Sequence, residues 1–151
     1  MSRGHFQKTC NKTIKKDNLD LYDDPKNHTL KMLDLRWHNT CNFACVYCAP
    51  DLSSQWAAEL NMPQKMSRDA FNQSLEYIHK NLHTVEHVYL AGGEPLLIKE
   101  NIDLLEKLYV LNPDIDIRVN TNLSIINNTI YNLLKKFKNV HWTVSVDNIG
   151  K

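Results

Sequence analysis

The sequence predicts an α/β fold: a partial (β/α) barrel of parallel strands, with about four strands present. Two observations carry this expectation. First, four runs of alternating apolar and polar residues, at 29–37, 85–91, 115–120 and 140–146, are separated by three stretches with apolar residues at helical spacing. A β-α-β-α-β-α-β order implies a parallel sheet with right-handed crossovers. Second, the alternate face of those runs is polar, with Asp34, Arg36, Arg118, Asn120, Thr143, Ser145 and Asp147. A doubly wound sheet is apolar on both faces. Here one face is expected to carry helices, and the other to meet water or line a polar, ligand-holding lumen.

The first strand sets Leu33, Leu35 and Trp37 on one face, and Asp34 and Arg36 on the other. A long connection follows at 49–66, with a short helix expected at 55–60 behind Ser53 or Ser54. The next helix has Ser67 as N-cap and Phe71, Leu75, Ile78 and Leu82 at helical spacing. The strand at 85–91 ends in Gly92-Gly93-Glu94-Pro95. Ile98, Ile102, Leu105 and Leu108 mark a second main helix, stopped by Asn112-Pro113. Ile115, Ile117 and Val119 form the third strand. Ile130, Leu133, Leu134 and Phe137 form the third main helix behind Asn127-Asn128. Val140, Trp142, Val144 and Val146 form the apolar side of the fourth strand.

Residues 1–29 lack this periodicity. Lys12, Lys15, Lys16, Asp17, Asp20, Asp23 and Asp24 mark them as a polar N-terminal extension, with the core domain at 30–151. Hydrophobic residues make up 42% and charged residues 23% of the chain, ordinary globular usage. The net charge of +1 lacks the electrostatic footprint of a dedicated nucleic-acid binder. Mean hydropathy is -0.46, and no apolar run approaches the ~18 residues a membrane span needs. The start of the chain has no signal-like apolar stretch. A cytoplasmic protein without membrane or structural nucleic-acid partners is expected.

Two motifs carry chemistry. Cys41, Cys45 and Cys48 form a CxxxCxxC loop just after the first strand. Clustered cysteines without a secretory signal point to metal or redox chemistry. Three thiolates can hold a [4Fe–4S] cluster with one iron left open for a ligand. Three other readings stand beside it. His38 could complete a zinc site with the same cysteines, in a non-enzymatic metal-binding module. Cys45 and Cys48 could form a redox pair. Cys10 could serve as a fourth ligand, although it lies far away in the polar extension.

The second motif, Gly92-Gly93-Glu94-Pro95, ends the next strand. Glycine lets backbone approach a ligand closely, and a glutamate can accept a charge-assisted hydrogen bond from an ammonium. Taken alone it reads as a turn. Its expected place beside the Cys loop, at the carboxyl edge of a parallel sheet, is where such folds bind ligands.

Together these motifs resemble the radical S-adenosylmethionine (radical SAM) superfamily. The surrounding Leu33-Asp34-Leu35-Arg36-Trp37, Asn39-Thr40-Cys41-Asn42, Ser53-Ser54-Gln55-Trp56, Leu90 to Leu97 and Asn120-Thr121-Asn122-Leu123-Ser124 resemble its twitch/SPASM-like branch. The resemblance covers about residues 20–151. It implies that Cys41, Cys45 and Cys48 hold a [4Fe–4S] cluster and that S-adenosyl-L-methionine chelates the open iron. It implies that Gly92, Gly93 and Glu94 receive the methionine ammonium, that the backbone around Tyr47 lies near the adenine, and that Thr121 and Ser145 match positions that contact the cofactor. An external one-electron donor and an unidentified polar substrate would complete the system.

The residues support these roles unequally. Ser145 has the lumen parity, whereas Thr121 has the helix-facing parity of Val119. Asp147 is expected to cap the strand end or touch ribose. Arg36 and Arg118 are expected to pair with Asp34 in preference to binding an anionic ligand group, Trp56 to anchor its loop, and Met62 and Met66 to pack. His38 is expected to support or pack rather than ligate. The family's barrel has six βα units, so this chain is expected to be its N-terminal portion, inactive by itself and prone to associate through an open sheet edge.

Overall fold

A computed structural model describes residues 29–62 and 68–146. The polar extension through residue 28, with Cys10, and Met66, Ser67 and Asp147 lie outside the described residues.

Strand β1 spans Met32–Leu35, β2 His87–Leu90, β3 Asp116–Thr121 and β4 Asn139–Val144. They form one four-stranded sheet in the order β1-β2-β3-β4, and every neighbouring pair is parallel. Spatial order equal to chain order, with helical connections, is the arrangement of a (β/α)-barrel segment. A doubly wound sheet would reverse direction at a switch point. The expected fold class is therefore present. The strands are shorter than the alternating runs: Trp37, Val85 and Ala91 lie beyond the ladder yet remain buried.

The helices are α1 (Ser54–Glu59), α2 (Arg68–Asn81), α3 (Glu100–Leu111) and α4 (Asn128–Leu134), with single 3-10 turns at Pro50–Leu52, Leu82–Thr84 and Pro95–Leu97. Ser53 caps α1 by accepting the Trp56 N–H. Asn127 caps α4 by accepting the N–H groups of Thr129 and Ile130. Both satisfy amides a helix start leaves unpaired.

The core lies between the sheet and these helices. It joins Leu33 and Leu35 of β1, Val88 and Leu90 of β2, and Ile117 and Val119 of β3 to Leu104, Leu105 and Leu108 of α3 and Ile130 and Leu134 of α4. Phe71, Leu75 and Ile78 of α2 pack against it from the rim. The Trp37 indole donates to buried Asn101 Oδ1 at 2.7 Å, and Asn101 Nδ2 donates to the Pro95 carbonyl at 2.9 Å.

The opposite face is polar, as the alternation predicts. Asp34, His87, Tyr89, Asp116, Arg118 and Thr143 line a cavity of about 580 Å³ there. Arg36 pairs with Asp34 at 3.0 Å and lies over the Tyr89 ring, 5.9 Å from its centre. Asp34 is thus paired with Arg36; no such pair involves Arg118 among the described residues. Asp116 sits between His87 and His141, at 3.3 and 3.5 Å.

Two expectations are corrected. The apolar side of β4 is not closed over: Trp142, Val144 and Val146 are exposed. Helix α4 reaches only part of this edge strand, where Tyr131 packs on Trp142 with ring centres 6.3 Å apart. Met62, expected to pack, is also exposed. No helix among the described residues is long and apolar enough to cross a membrane.

Candidate metal and cofactor site

The C-terminal ends of β1, β2 and β3 open into three loops that are tied to one another. The loop after β1 carries the cysteines. The start of α1 clamps it: Cys41 N–H donates to Ser54 Oγ at 3.1 Å, and that hydroxyl donates to the Cys41 carbonyl at 3.0 Å. Buried Ser53 donates to the Phe43 carbonyl at 2.6 Å. The Trp56 indole donates to the Cys45 carbonyl at 2.8 Å, so Trp56 is the loop anchor expected of it. The Cys48 N–H returns to the Cys45 carbonyl at 2.8 Å, closing the turn between the last two cysteines.

All three thiols are free and partly exposed. The Phe43 N–H lies 3.4 Å from Cys41 Sγ, and Asn122 Nδ2 lies 4.0 Å from it. N–H donors directed at a sulfur suit a thiolate. Among the described residues no group of three His, Cys, Asp or Glu side chains converges closely enough to hold a metal ion. His38 Nε2 lies 3.2 Å from Glu100 Oε2 at the start of α3, and its buried Nδ1 has no hydrogen-bond partner among the described residues.

The loop after β2 passes against the Cys loop. The Glu94 N–H donates to the Thr40 carbonyl at 2.8 Å, one residue before Cys41. Gly92 and Gly93 have φ of +72° and +51°. A Cβ on Gly93 would lie 2.2 Å from the Thr40 carbonyl oxygen, and one on Gly92 would lie 2.7 Å from Arg36 Cβ. Both the backbone conformation and the close approach therefore require glycine.

The Glu94 side chain turns inward and is buried. Oε1 accepts the Leu96 N–H at 3.1 Å and the Thr121 hydroxyl at 2.6 Å, and Oε2 accepts the Asn122 N–H at 2.8 Å. Its carboxylate braces the loops from within, and the partly exposed glycine backbone forms the outer surface. Thr121 is likewise buried. Its hydroxyl also accepts the Leu123 N–H at 2.9 Å, consistent with its helix-facing parity. Ser145 is exposed just past β4, and its N–H donates to the Thr121 carbonyl at 2.9 Å. Tyr47 is exposed on the Cys loop.

The structure thus gathers the cysteines, Gly92, Gly93, Glu94, Thr121 and Ser145 at one sheet edge. It adds residues that motif reading left without a role: Asn42, Asn101 and Asn122. The Asn122-x-Ser124 spacing, which favours a side-chain turn, is the available signal for Asn122.

The radical SAM superfamily model matches residues 35–150 of the 151-residue chain. The chain belongs to the radical SAM superfamily. Among curated relatives, it is 29% identical to a GTP 3',8-cyclase of Nautilia profundicola over 83 residues, covering 54% of this chain and 24% of that protein. A GTP 3',8-cyclase of Streptomyces coelicolor is 30% identical over 82 residues, covering 54% of this chain and 23% of that protein. One from a Sulfurovum species is 25% identical over 111 residues, covering 73% of this chain and 32% of that protein. The matches therefore span a quarter to a third of those relatives' lengths. No solved structure matches the chain.

Proposed function

We propose that this chain carries the cofactor-binding part of a radical SAM enzyme of the twitch/SPASM-like branch, with Cys41, Cys45 and Cys48 as ligands of a [4Fe–4S] cluster. The observation that carries the reading is the 2.8 Å bond from Glu94 N–H to the Thr40 carbonyl, which fastens the glycine loop beside the first cysteine. The donor set fits: three soft thiolates, with N–H donors at Cys41. The cluster and S-adenosyl-L-methionine together supply a 5′-deoxyadenosyl radical for hydrogen abstraction.

The chain's own residues bind and orient. Cys41, Cys45 and Cys48 would hold the cluster through their thiolates. The backbone at Gly92 and Gly93 receives the methionine ammonium, and the buried Glu94 carboxylate supports that loop from behind. Tyr47 and Ser145 flank the cofactor from the loops after β1 and β4. Thr121 acts from behind the surface through Glu94.

The polar lumen takes the substrate. The naming of the chain's relatives as GTP 3',8-cyclases favours a nucleotide, and Arg118 in the lumen suits an anionic group of one. An external one-electron donor would supply the electron that the bound cluster needs. The open β4 edge supports self-association or completion of the sheet by further polypeptide.

The test is anaerobic reconstitution with iron and sulfide. The expected product is brown, and Ala at Cys41, Cys45 or Cys48 abolishes assembly while Cys10→Ala retains iron. A colourless protein that holds one zinc would instead support the zinc reading.

A further inference from the structure

We infer that Asn122 is a positioning residue for the iron–sulfur group, donating one amide N–H to the Cys41 thiolate and holding the Cys loop with the other. The inference rests on the proposed cluster site. Asn122 lies on the loop after β3, which the cysteine and glycine motifs do not include.

The hydrogen bonds fix which way this amide faces. Asn122 Oδ1 accepts both the Ser124 N–H at 2.9 Å and the Ser124 hydroxyl at 2.8 Å. Its Nδ2 therefore points the other way, toward Asn42 Oδ1 at 3.1 Å and Cys41 Sγ at 4.0 Å. The Asn42 amide is oriented too, because its Nδ2 donates to Ser124 Oγ at 2.8 Å and leaves Oδ1 to accept. A carboxamide nitrogen has two hydrogens, and each has an acceptor here.

The backbone beneath is held as firmly. Glu94 Oε2 accepts the Asn122 N–H, and Thr121 Oγ1 accepts the Leu123 N–H. Leu123 itself has φ of +51°, a left-handed conformation that a leucine adopts only when its surroundings impose it. The glycine loop thus reaches the first cysteine by a second route, through Glu94 and Asn122. A donor to a cluster sulfur stabilises the more electron-rich reduced state and raises the reduction potential.

The test uses the full chain, reconstituted anaerobically, and reads iron content and cluster midpoint potential by spin-resonance titration. Asn122→Ala is expected to lower the potential. At fixed poise its reduced-to-oxidised ratio should fall roughly five-fold, the worth of about one net hydrogen bond. Ser124→Ala keeps the Ser124 N–H on Asn122 Oδ1 and is expected to change that ratio by less than about two-fold.

If thermal melting shows that Asn122→Ala does not fold, Asn122→Asp is read instead. It keeps the acceptor for Ser124, loses the donor and lowers the potential further through its charge. An unchanged potential in the folded variant, with Cys41→Ala failing to assemble a cluster, overturns the inference and leaves the cluster site standing. Iron retained by Cys41→Ala overturns the site itself.

Discussion

The Thr121 hydroxyl donates to Glu94 Oε1 at 2.6 Å, joining the end of β3 to the turn after β2 inside the protein. Two polar side chains are buried there at once, which is tolerable because each has partners. The pair sets the spacing of the glycine and Asn122 loops before any ligand arrives.

Glu94→Gln is therefore expected to cost stability as well as cofactor affinity. A Gln amide cannot accept at both positions, so a backbone N–H or the Thr121 hydroxyl is left facing a donor. The expected loss is about 1–3 kcal/mol by urea denaturation. S-adenosylmethionine affinity is expected to fall roughly ten-fold, the equivalent of about 1.4 kcal/mol. Affinity lost with stability unchanged would show direct contact between Glu94 and the cofactor.

Gly93→Ala is expected to be more damaging than Gly92→Ala. At Gly93 the added Cβ meets the Thr40 carbonyl, whose oxygen accepts the Glu94 N–H; at Gly92 it meets the Arg36 side chain and Cα. Positive φ alone costs about 1–2 kcal/mol for an L-residue, and the backbone clash adds to that. Melting temperature and iron uptake both report it. Equal effects at the two positions would contradict the asymmetry.

His79 lines an apolar cleft with Leu82, Val110 and Leu111, and Lys107 Nζ lies 3.1 Å from its Nδ1. Burial first, and the Lys107 charge second, lower its pKa below the ordinary histidine value. The unfolded chain then binds more protons than the folded one as pH falls through the ordinary histidine range. Stability is accordingly lost as pH falls through that window and regained above it. His79→Gln is expected to flatten this decline in denaturation curves compared between about pH 5 and 7. A parallel decline in both proteins would refute the assignment.

The β4 edge is expected to drive association. Trp142 and Val144 are 37% and 41% exposed on the side that helices cover elsewhere in the sheet. Sedimentation velocity should show concentration-dependent oligomers, and Val144→Lys should shift the distribution toward monomer, as charges on edge strands do. A wild-type monomer at all concentrations would remove this edge as an interface.

By itself the sequence determined the order of elements, the parallel sheet and its polar face. Alternation at β1 or β3 and helical spacing in α3 follow from which side chains leave water, and those periods are written in the chain. It also marked Cys41, Cys45 and Cys48 by their spacing, and Gly92 and Gly93, whose positive φ admits few residue types. Only the tertiary structure decided what Glu94, Thr121 and Asn122 face. Hydrogen-bond partners depend on which loops meet at the sheet edge, and Glu94 meets Thr121 across 27 positions of chain. The exposure of Trp142 and Val144 was likewise undecided: β4 has the same alternation as β3, but among the described residues β3 lies between two strands and β4 pairs on one side only. Periodicity states which face is apolar; what covers that face is a property of the assembled fold.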